Sequence, residues 1–277
     1  MYKKFLIVAS ENNPASKNIL RNLIQFKRNP LIASMSNSAS FDIYTISEDI
    51  LHEENLNLEK INKYDFIIFP CTHKSTKGEK SLSIHSPGNW REAKLGGKEE
   101  AVSPSSALFN KFLFEKLAAN VKKYELDEKY KVTLEVTHHG PLINKPCVFI
   151  EIGSTEFEWN DRRAGFAIAK TIVEAIEEFK VNEYQEVAIG IGGPHYCPNF
   201  NKLQLNSNVA ISHVIPNYVA PITENMIRQA LEKTIEEVDF VVLDWKGLGT
   251  SEQRKIVLDA LNKLYVAYKK SSEITKG

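Results

Sequence analysis

Eight short apolar segments recur along the chain, each six or seven residues long. They are rich in β-branched and aromatic residues, which is typical of buried strands. Amphipathic helical patterns, in which apolar residues recur three or four positions apart, separate many of these segments. Strands that alternate with helices indicate an α/β fold with a mainly parallel central sheet and helices on both faces. The predicted strands are 5–10, 41–46, 65–70, 131–137, 147–153, 186–191, 209–215 and 239–245, and the predicted helices begin at Pro14, Ser103, Arg162, Thr223 and Thr250.

One connection is too short for this pattern. Only about nine residues separate the strand that ends near Val136 from the strand that begins near Cys147, whereas a parallel crossover needs about a dozen or more. These two strands are therefore predicted to run antiparallel, which makes the sheet mixed. The stretch 71–102 has neither helical nor strand periodicity, and loops of this length are often functional. We predict one α/β domain over 1–277 that carries a long functional loop at about 71–102.

Charge and cysteine content limit the class of protein. The 35 basic and 35 acidic side chains cancel, so any contact with RNA would depend on a local patch. Three cysteines without CxxC spacing argue against a disulfide framework or a zinc ribbon. The sequence shows no signal-peptide pattern and no apolar stretch of about 18 residues. We therefore expect a cytoplasmic monomer with no DNA or membrane partner.

Four histidines lie at or near the ends of predicted strands. His73 follows one strand, His138 and His139 follow the second, and His195 follows the third. Ligands of open α/β sheets bind beyond the carboxyl ends of the strands. These imidazoles are therefore predicted to meet at one functional rim, although each taken alone could be an ordinary loop histidine.

Two glutamates lie within apolar strands. Glu151 shares a strand face with Phe149, where a carboxylate must be exposed at an edge strand or must find a cation. Glu135 poses the same question less sharply, because Thr133 and Thr137 on its face suggest a solvated side. In an antiparallel strand pair, Glu151 would lie at the opposite end from His138 and His139. We therefore expect Glu151 to serve a separate subsite.

Imidazoles and carboxylates are the ligands of catalytic zinc. The sequence contains no HExxH motif, so the metal interpretation depends on a dispersed cluster. His85 lies in the long loop beside a Pro-Gly turn, and His213 is either a ligand or a hydrogen-bonded core residue. The candidate metal ligands are His73, His85, His138, His195, His213 and Glu135, and the candidate catalytic residues are His138, His139, His195 and Glu151.

Other residues are candidates for substrate contact. Gly192 and Gly193 lie at a strand end, where their backbone N–H groups could receive an oxyanion or phosphate, although a packing turn is an equal alternative. Ser154 and Thr155 precede a helix and could instead be N-cap residues. Lysines interleaved with an aromatic residue suit an RNA end. The candidates for tRNA or substrate binding are Gly192, Gly193, Ser154, Thr155, Lys74, Lys77 and Trp90.

Five stretches between residues 73 and 218 carry a resemblance to a known family: "HKSTKGEKSLSIHSPGNW", "THHGP", "EIGSTEFEW", "GIGGPHYCPNF" and "ISHVIPNY". Together they resemble the D-aminoacyl-tRNA deacylase of the archaeal and plant type. The resemblance implies hydrolysis of the ester between a D-amino acid and the 3′ end of tRNA, a zinc requirement, and a mixed-sheet fold similar to peptidyl-tRNA hydrolase and nucleoside phosphorylases. One departure is Asn217, where the family pattern is associated with lysine, so no role of that lysine carries over.

The residues and the resemblance together predict hydrolysis of D-aminoacyl-tRNA by a water molecule that zinc activates, with one or two zinc ions per chain. Two alternatives remain at this point. One is a zinc-dependent hydrolase of a small ester or amide, and the other is a non-catalytic protein that binds RNA ends or nucleosides. Metal analysis and deacylation of matched D- and L-aminoacyl-tRNA distinguish these functions.

Overall fold

A computed structural model describes residues 2–28, 40–75, 77–182 and 185–275. Within them, the chain alternates between strands and helices as the sequence predicts. The strands are β1 (Lys4–Ser10), β2 (Ser40–Ile46), β3 (Phe66–Lys74), β4 (Ser81–His85), β5 (Gly88–Asn89), β6 (Ala101–Val102), β7 (Lys131–Leu134), β8 (Cys147–Ser154), β9 (Glu186–Ile191), β10 (Val209–Ile215), β11 (Phe240–Leu243) and β12 (Tyr268–Lys270). The helices are α1 (Pro14–Arg28), α2 (Leu58–Ile61), α3 (Ala107–Lys123), α4 (Glu156–Trp159), α5 (Arg162–Glu178), α6 (Pro198–Asn206), α7 (Glu224–Glu232) and α8 (Ser251–Lys263), with 3-10 turns at Glu53–Asn55 and Asn217–Val219.

The described strands form two main sheets. The larger sheet has the order β2-β1-β3-β8-β4-β7, and the smaller sheet has the order β10-β9-β11-β12. Every neighbouring pair in these sheets is parallel except β4 and β8, which are antiparallel. The predicted mixed, mainly parallel α/β fold is confirmed.

Long helices cover one face of the larger sheet, and short elements cover the other. Alternate residues of β1, such as Phe5 and Ile7, pack with α1, α3 and α5 in one hydrophobic cluster. Leu6 and Val8 point the other way, into a cluster with Leu56 of the turn before α2 and with other residues from short connecting segments. This second face therefore leaves room for a cleft beside β3 and β8.

The starts of four of the five predicted helices follow from their capping chemistry. The side chains of Ser106, Thr223 and Thr250 accept hydrogen bonds from backbone N–H groups at the starts of α3, α7 and α8. Asp161 does the same for α5, and its side chain accepts from Arg163 and Ala164. These caps satisfy N–H groups that have no partner inside the helix.

The prediction of a loop at 71–102 is wrong for part of this stretch. It contains β4, which inserts into the larger sheet between β8 and β7. All five residues of β4 are buried. Two serines, Ser81 and Ser83, lie on one side of the strand. Only Leu82 and Ile84, on the other side, are apolar, so the sequence of this strand has a weak apolar pattern. The two strands predicted to be antiparallel, β7 and β8, do run in opposite directions, but β4 separates them.

No helix in the described part of the chain is long and apolar enough to cross a membrane.

Candidate active site

Two buried carboxylates form the centre of the candidate site. Glu151 lies in β8 between Cys71 of β3 and Ser83 of β4. Glu135 directly follows β7, and its backbone N–H donates to the carbonyl oxygen of Ile84 over 3.0 Å. Their exposed fractions are 1% and 2%, so both carboxylates need partners inside the protein.

Glu151 meets three histidines from three segments of the chain. Its Oε2 lies 3.5 Å from Nδ1 of His73. Its Oε1 lies 3.7 Å from Nε2 of His85 and 3.8 Å from Nε2 of His139. Neither the edge-strand alternative nor the separate subsite expected for Glu151 is correct. His139 has a positive φ of 44° and its ring packs 4.8 Å from that of Phe149, two residues before Glu151, so its imidazole points back along β8.

Glu135 also meets three histidines. Its Oε1 lies 3.1 Å from Nδ1 of His73. Its Oε2 lies 3.2 Å from Nε2 of His195 and 3.6 Å from Nε2 of His138. The solvated side suggested by Thr133 and Thr137 is wrong, because both hydroxyls form hydrogen bonds in the interior. His73 thus bridges the two carboxylates, and the cluster comprises Glu135, Glu151, His73, His85, His138, His139 and His195.

The charges in this cluster depend on one another. Burial alone would raise the pKa of both carboxyl groups, but the histidines around them hold the pKa of Glu135 and of Glu151 below the usual range. Burial would lower the pKa of His73, but Glu135 and Glu151 raise it to about 11. Without a metal ion, a proton on His73 therefore supplies positive charge to two buried carboxylates at neutral pH. A metal ion bound to this ring would have to displace that proton.

Three other imidazoles have a fixed orientation. The Nδ1 atoms of His85, His138 and His139 lie 3.2, 2.8 and 2.7 Å from the backbone carbonyl oxygens of Ser86, Val136 and Gly140. A carbonyl oxygen can only accept, so each Nδ1 carries the proton and each Nε2 presents a lone pair. Burial lowers the pKa of His85 and of His138, which keeps these two rings neutral.

The arrangement fits a metal ion. Nε2 of His85 and Oε1 of Glu151 face each other but have no hydrogen-bond partner among the described residues. Two lone pairs that face each other at this distance require a cation or a proton between them. Three groups of potential ligands have all their ligand atoms within 4.8 Å of one another: His73, Glu135, His138 and His195; His85, His138 and His139; and His85, Glu135 and Glu151.

His213 does not belong to the cluster. It is absent from every group of potential metal ligands found among the described residues. Its Nδ1 lies 3.2 Å from Oγ1 of Thr137, and its ring packs edge-on against Trp90. Burial lowers the pKa of His213 to about 4. The core interpretation of His213 is therefore supported over the ligand interpretation.

The two glycines predicted to bind substrate have a packing role. Gly192 uses its N–H in a 2.8 Å bond to the carbonyl oxygen of Ile215, so this donor is not available for an oxyanion. A Cβ on Gly193 would lie 2.9 Å from Oδ2 of Asp244. Asn217, at the family's lysine position, ties this turn to a neighbouring one through a 2.9 Å bond to the carbonyl oxygen of Gly247.

We expect Gly193→Ala to lower the free energy of unfolding by about 1–3 kcal/mol, because Gly193 has a φ of +82° and faces a carboxylate. Gly249→Ala is the matched control, since Gly249 has a φ of +86° but no heavy atom within 4 Å of the added Cβ. Urea denaturation of both variants measures the difference. Equal losses would mean that the contact with Asp244 contributes nothing.

The other predicted substrate contacts divide into buried and exposed residues. Trp90 is only 3% exposed, and its indole N–H donates to the carbonyl oxygen of Val214, so the prediction that it stacks on a base is wrong. Ser154 is buried, whereas Thr155 is exposed and its hydroxyl donates to Glu158. Lys74 and Lys77 are exposed.

The cluster opens into a cleft of about 820 Å³. Lys74 lies at its edge, with Nζ 5.9 Å from the ring of Trp159. Twelve of the 18 lining residues were not among the sequence candidates, including Asn13, Cys71 and Trp159. Of these three, Asn13 alone lies at the start of a predicted helix, directly before Pro14. The cleft is lined by Ser10, Asn12, Asn13, Pro14, Ser47, Glu48, Asp49, Leu51, Cys71, Thr72, His73, Lys74, Leu95, His138, His139, Glu151, Trp159 and His195.

Two tyrosines that sequence reasoning missed contact the cluster. The hydroxyl of Tyr196 lies 2.9 Å from Nε2 of His73, and the hydroxyl of Tyr218 lies 3.4 Å from Nδ1 of His195. Both tyrosines belong to stretches that carry the family resemblance, but nothing in their local pattern distinguishes them from packing residues.

Comparisons with known proteins identify the family of this chain. Residues 60–268 match the family described as D-aminoacyl-tRNA deacylase. The D-aminoacyl-tRNA deacylase of Methanocaldococcus jannaschii is 35% identical over 261 residues, which cover 92% of this chain and 94% of the relative. That of Pyrococcus furiosus is 39% identical over 230 residues, which cover 80% and 81%. The crystal structure of AF0625, a conserved protein of unknown function, is 29% identical with a TM-score of 0.85 and covers 98% of this chain and 96% of that chain. The chain therefore belongs to the D-aminoacyl-tRNA deacylase family.

Proposed function

We propose that the histidine–glutamate cluster is the catalytic centre of a D-aminoacyl-tRNA deacylase, which hydrolyses the ester bond and releases free D-amino acid and tRNA. The main support is that five histidines surround two buried carboxylates beside a cleft of about 820 Å³. Buried titratable groups that perturb one another in a cleft are typical of functional sites.

Zinc is the proposed cofactor. His73, Glu135, His138 and His195 would hold it, since their ligand atoms lie within 4.8 Å of one another. The fit is supported by His138, whose Nδ1–H is bound to the carbonyl oxygen of Val136 and whose Nε2 lone pair faces Glu135. A zinc ion there would supply a Lewis acid for the ester carbonyl and for a water molecule. His138 presents one lone pair and cannot also bind a second ion with His85 and His139, so we propose one zinc ion at this group. The facing atoms of His85 and Glu151 would take a proton or a second cation between them.

His139 is the proposed general base. Its Nδ1–H is held by the carbonyl oxygen of Gly140, and its Nε2 lies beside Glu151 and lines the cleft. In this mechanism, Nε2 accepts a proton from the attacking water while the new bond forms to the carbonyl carbon. The same proton then passes to the ribose oxygen as the ester bond breaks. The negative charge of Glu151 would stabilise the imidazolium that forms.

The function is tested by deacylation of D-tyrosyl-tRNA and L-tyrosyl-tRNA under identical conditions. We expect the D-ester to be hydrolysed at least about a hundredfold faster, a discrimination that the shape of a binding pocket can supply. His139→Ala, with zinc content and folding verified, serves as the inactive control. Equal rates on the two esters, or no hydrolysis of the D-ester by zinc-replete protein, would contradict the proposal.

The monomeric state and the cytoplasmic location stay predictions from the sequence. The tRNA substrate is compatible with both, and light scattering of the purified chain measures the first directly.

A further inference from the structure

The catalytic cleft continues into a second, polar groove. This groove has a volume of about 350 Å³ and shares two lining residues, Asn12 and Pro14, with the cleft. Every lining residue except Pro14 is polar, so the groove suits a hydrated, polar ligand. The residues that line it are Glu11, Asn12, Pro14, Lys17, Asn18, Arg21, Glu156 and Asn160.

Two cations face this groove from one side of α1. Lys17 and Arg21 are exposed and four residues apart, which places them on successive turns of the helix with about 5–6 Å between their Cβ atoms. Neither side chain forms a salt bridge or hydrogen bond with another residue that the structure describes. By contrast, Lys80 pairs with Glu158 and Lys129 pairs with Asp161. Lys17 and Arg21 therefore have positive charge available for a ligand.

The acidic residues of the groove favour RNA over a simple anion. Glu11 and Glu156 line the groove with Asn160 but pair with neither cation within the described chain. Their carboxylates would repel a bare phosphate ion. They can instead accept hydrogen bonds from ribose 2′-hydroxyls, which alternate with phosphates along an RNA strand.

The chain has no net charge to attract RNA, so the contact must come from a local set of cations. The predicted stacking residue, Trp90, is buried. We propose that the groove binds the single-stranded 3′ end of tRNA, with Lys17 and Arg21 at successive backbone phosphates, and that the strand then enters the cleft at Asn12 and Pro14. This inference rests on the proposed function and adds the path of the substrate.

The test measures the kinetics of one charge-reversal variant, Lys17→Glu/Arg21→Glu, on two substrates. With D-tyrosyl-tRNA, we expect KM to rise about tenfold or more while kcat changes less than about twofold. The slope of log kcat/KM against log salt concentration should become shallower by about 1.4, since each phosphate contact to a single strand contributes about 0.7. With D-tyrosine esterified to adenosine, which carries no phosphate, the rate should stay unchanged.

Lys255→Glu/Lys263→Glu is the matched control, because these exposed lysines of α8 lie outside both the cleft and the groove. A tRNA KM and salt slope that match this control would overturn the inference, as would an equal loss on the adenosine ester. If the charge reversal impairs folding, Lys17→Gln/Arg21→Gln gives the same comparison with neutral side chains.

Failure of the proposed function has a different outcome. Wild-type protein would then hydrolyse neither D-ester. Binding of uncharged tRNA still tests the groove in that case, and equal Kd values for wild type and Lys17→Glu/Arg21→Glu would reject it.

Discussion

Replacement of Glu151 with glutamine should lower kcat/KM for D-tyrosyl-tRNA about a thousandfold, within the range for loss of a positioned proton-transfer group. The carboxylate oxygens lie 3.5, 3.7 and 3.8 Å from the nearest ring nitrogens of His73, His85 and His139. A neutral amide lacks the negative charge that would stabilise the imidazolium form of His139. The base would therefore be weakened without a change in side-chain volume.

Two measurements separate this role from a general loss of structure. Glu158→Gln is the control, since Glu158 is 3% exposed but pairs outside the cluster with Thr155, and it should keep wild-type zinc content and kcat. Glu151→Gln should also keep its zinc, because Glu151 lies outside the proposed zinc group. Retention of wild-type kcat/KM would reject the stabilisation of His139 by Glu151, and loss of zinc together with activity would make Glu151 a metal ligand.

Local sequence patterns were sufficient for most of the fold. Strands such as β3 and β8 are continuous apolar runs because both of their faces are buried, and α7 and α8 begin at threonine caps. β4 was missed because its buried serines face the site rather than a hydrophobic core. A strand that lines a polar site loses the apolar half of its pattern.

The members of the site could be predicted, but not their grouping. Their positions near strand ends correctly predicted that four histidines are neighbours: His73, His138, His139 and His195. The position of Glu151 beside His139 depends on the insertion of β4 and on a backbone turn with positive φ at His139. Both are long-range or conformational features that residue spacing does not encode. The prediction that Trp90 contacts substrate was wrong for a different reason. A loop tryptophan beside lysines has the same local sequence pattern whether its side chain is exposed or buried.

Removal of zinc should reduce deacylation of D-tyrosyl-tRNA at least about a hundredfold, and one equivalent of zinc per chain should restore it. The expected loss is large because the ester carbonyl and the water molecule both lose their Lewis acid. The metal-free protein should also melt at a lower temperature, since an ion that binds only the folded state stabilises that state. Metal analysis, a thermal melt and the deacylation rate are measured on the same sample.

Two single substitutions show whether the zinc group and the base are separate. His138→Ala should lose both zinc and activity, because His138 presents a fixed Nε2 lone pair to Glu135 in the proposed zinc group. His139→Ala should lose activity but keep its zinc. Full activity after verified zinc removal would reject the metal assignment and leave the base assignment standing. Loss of zinc from His139→Ala would instead indicate the group of His85, His138 and His139, and the proton acceptor would then have to be sought outside that group.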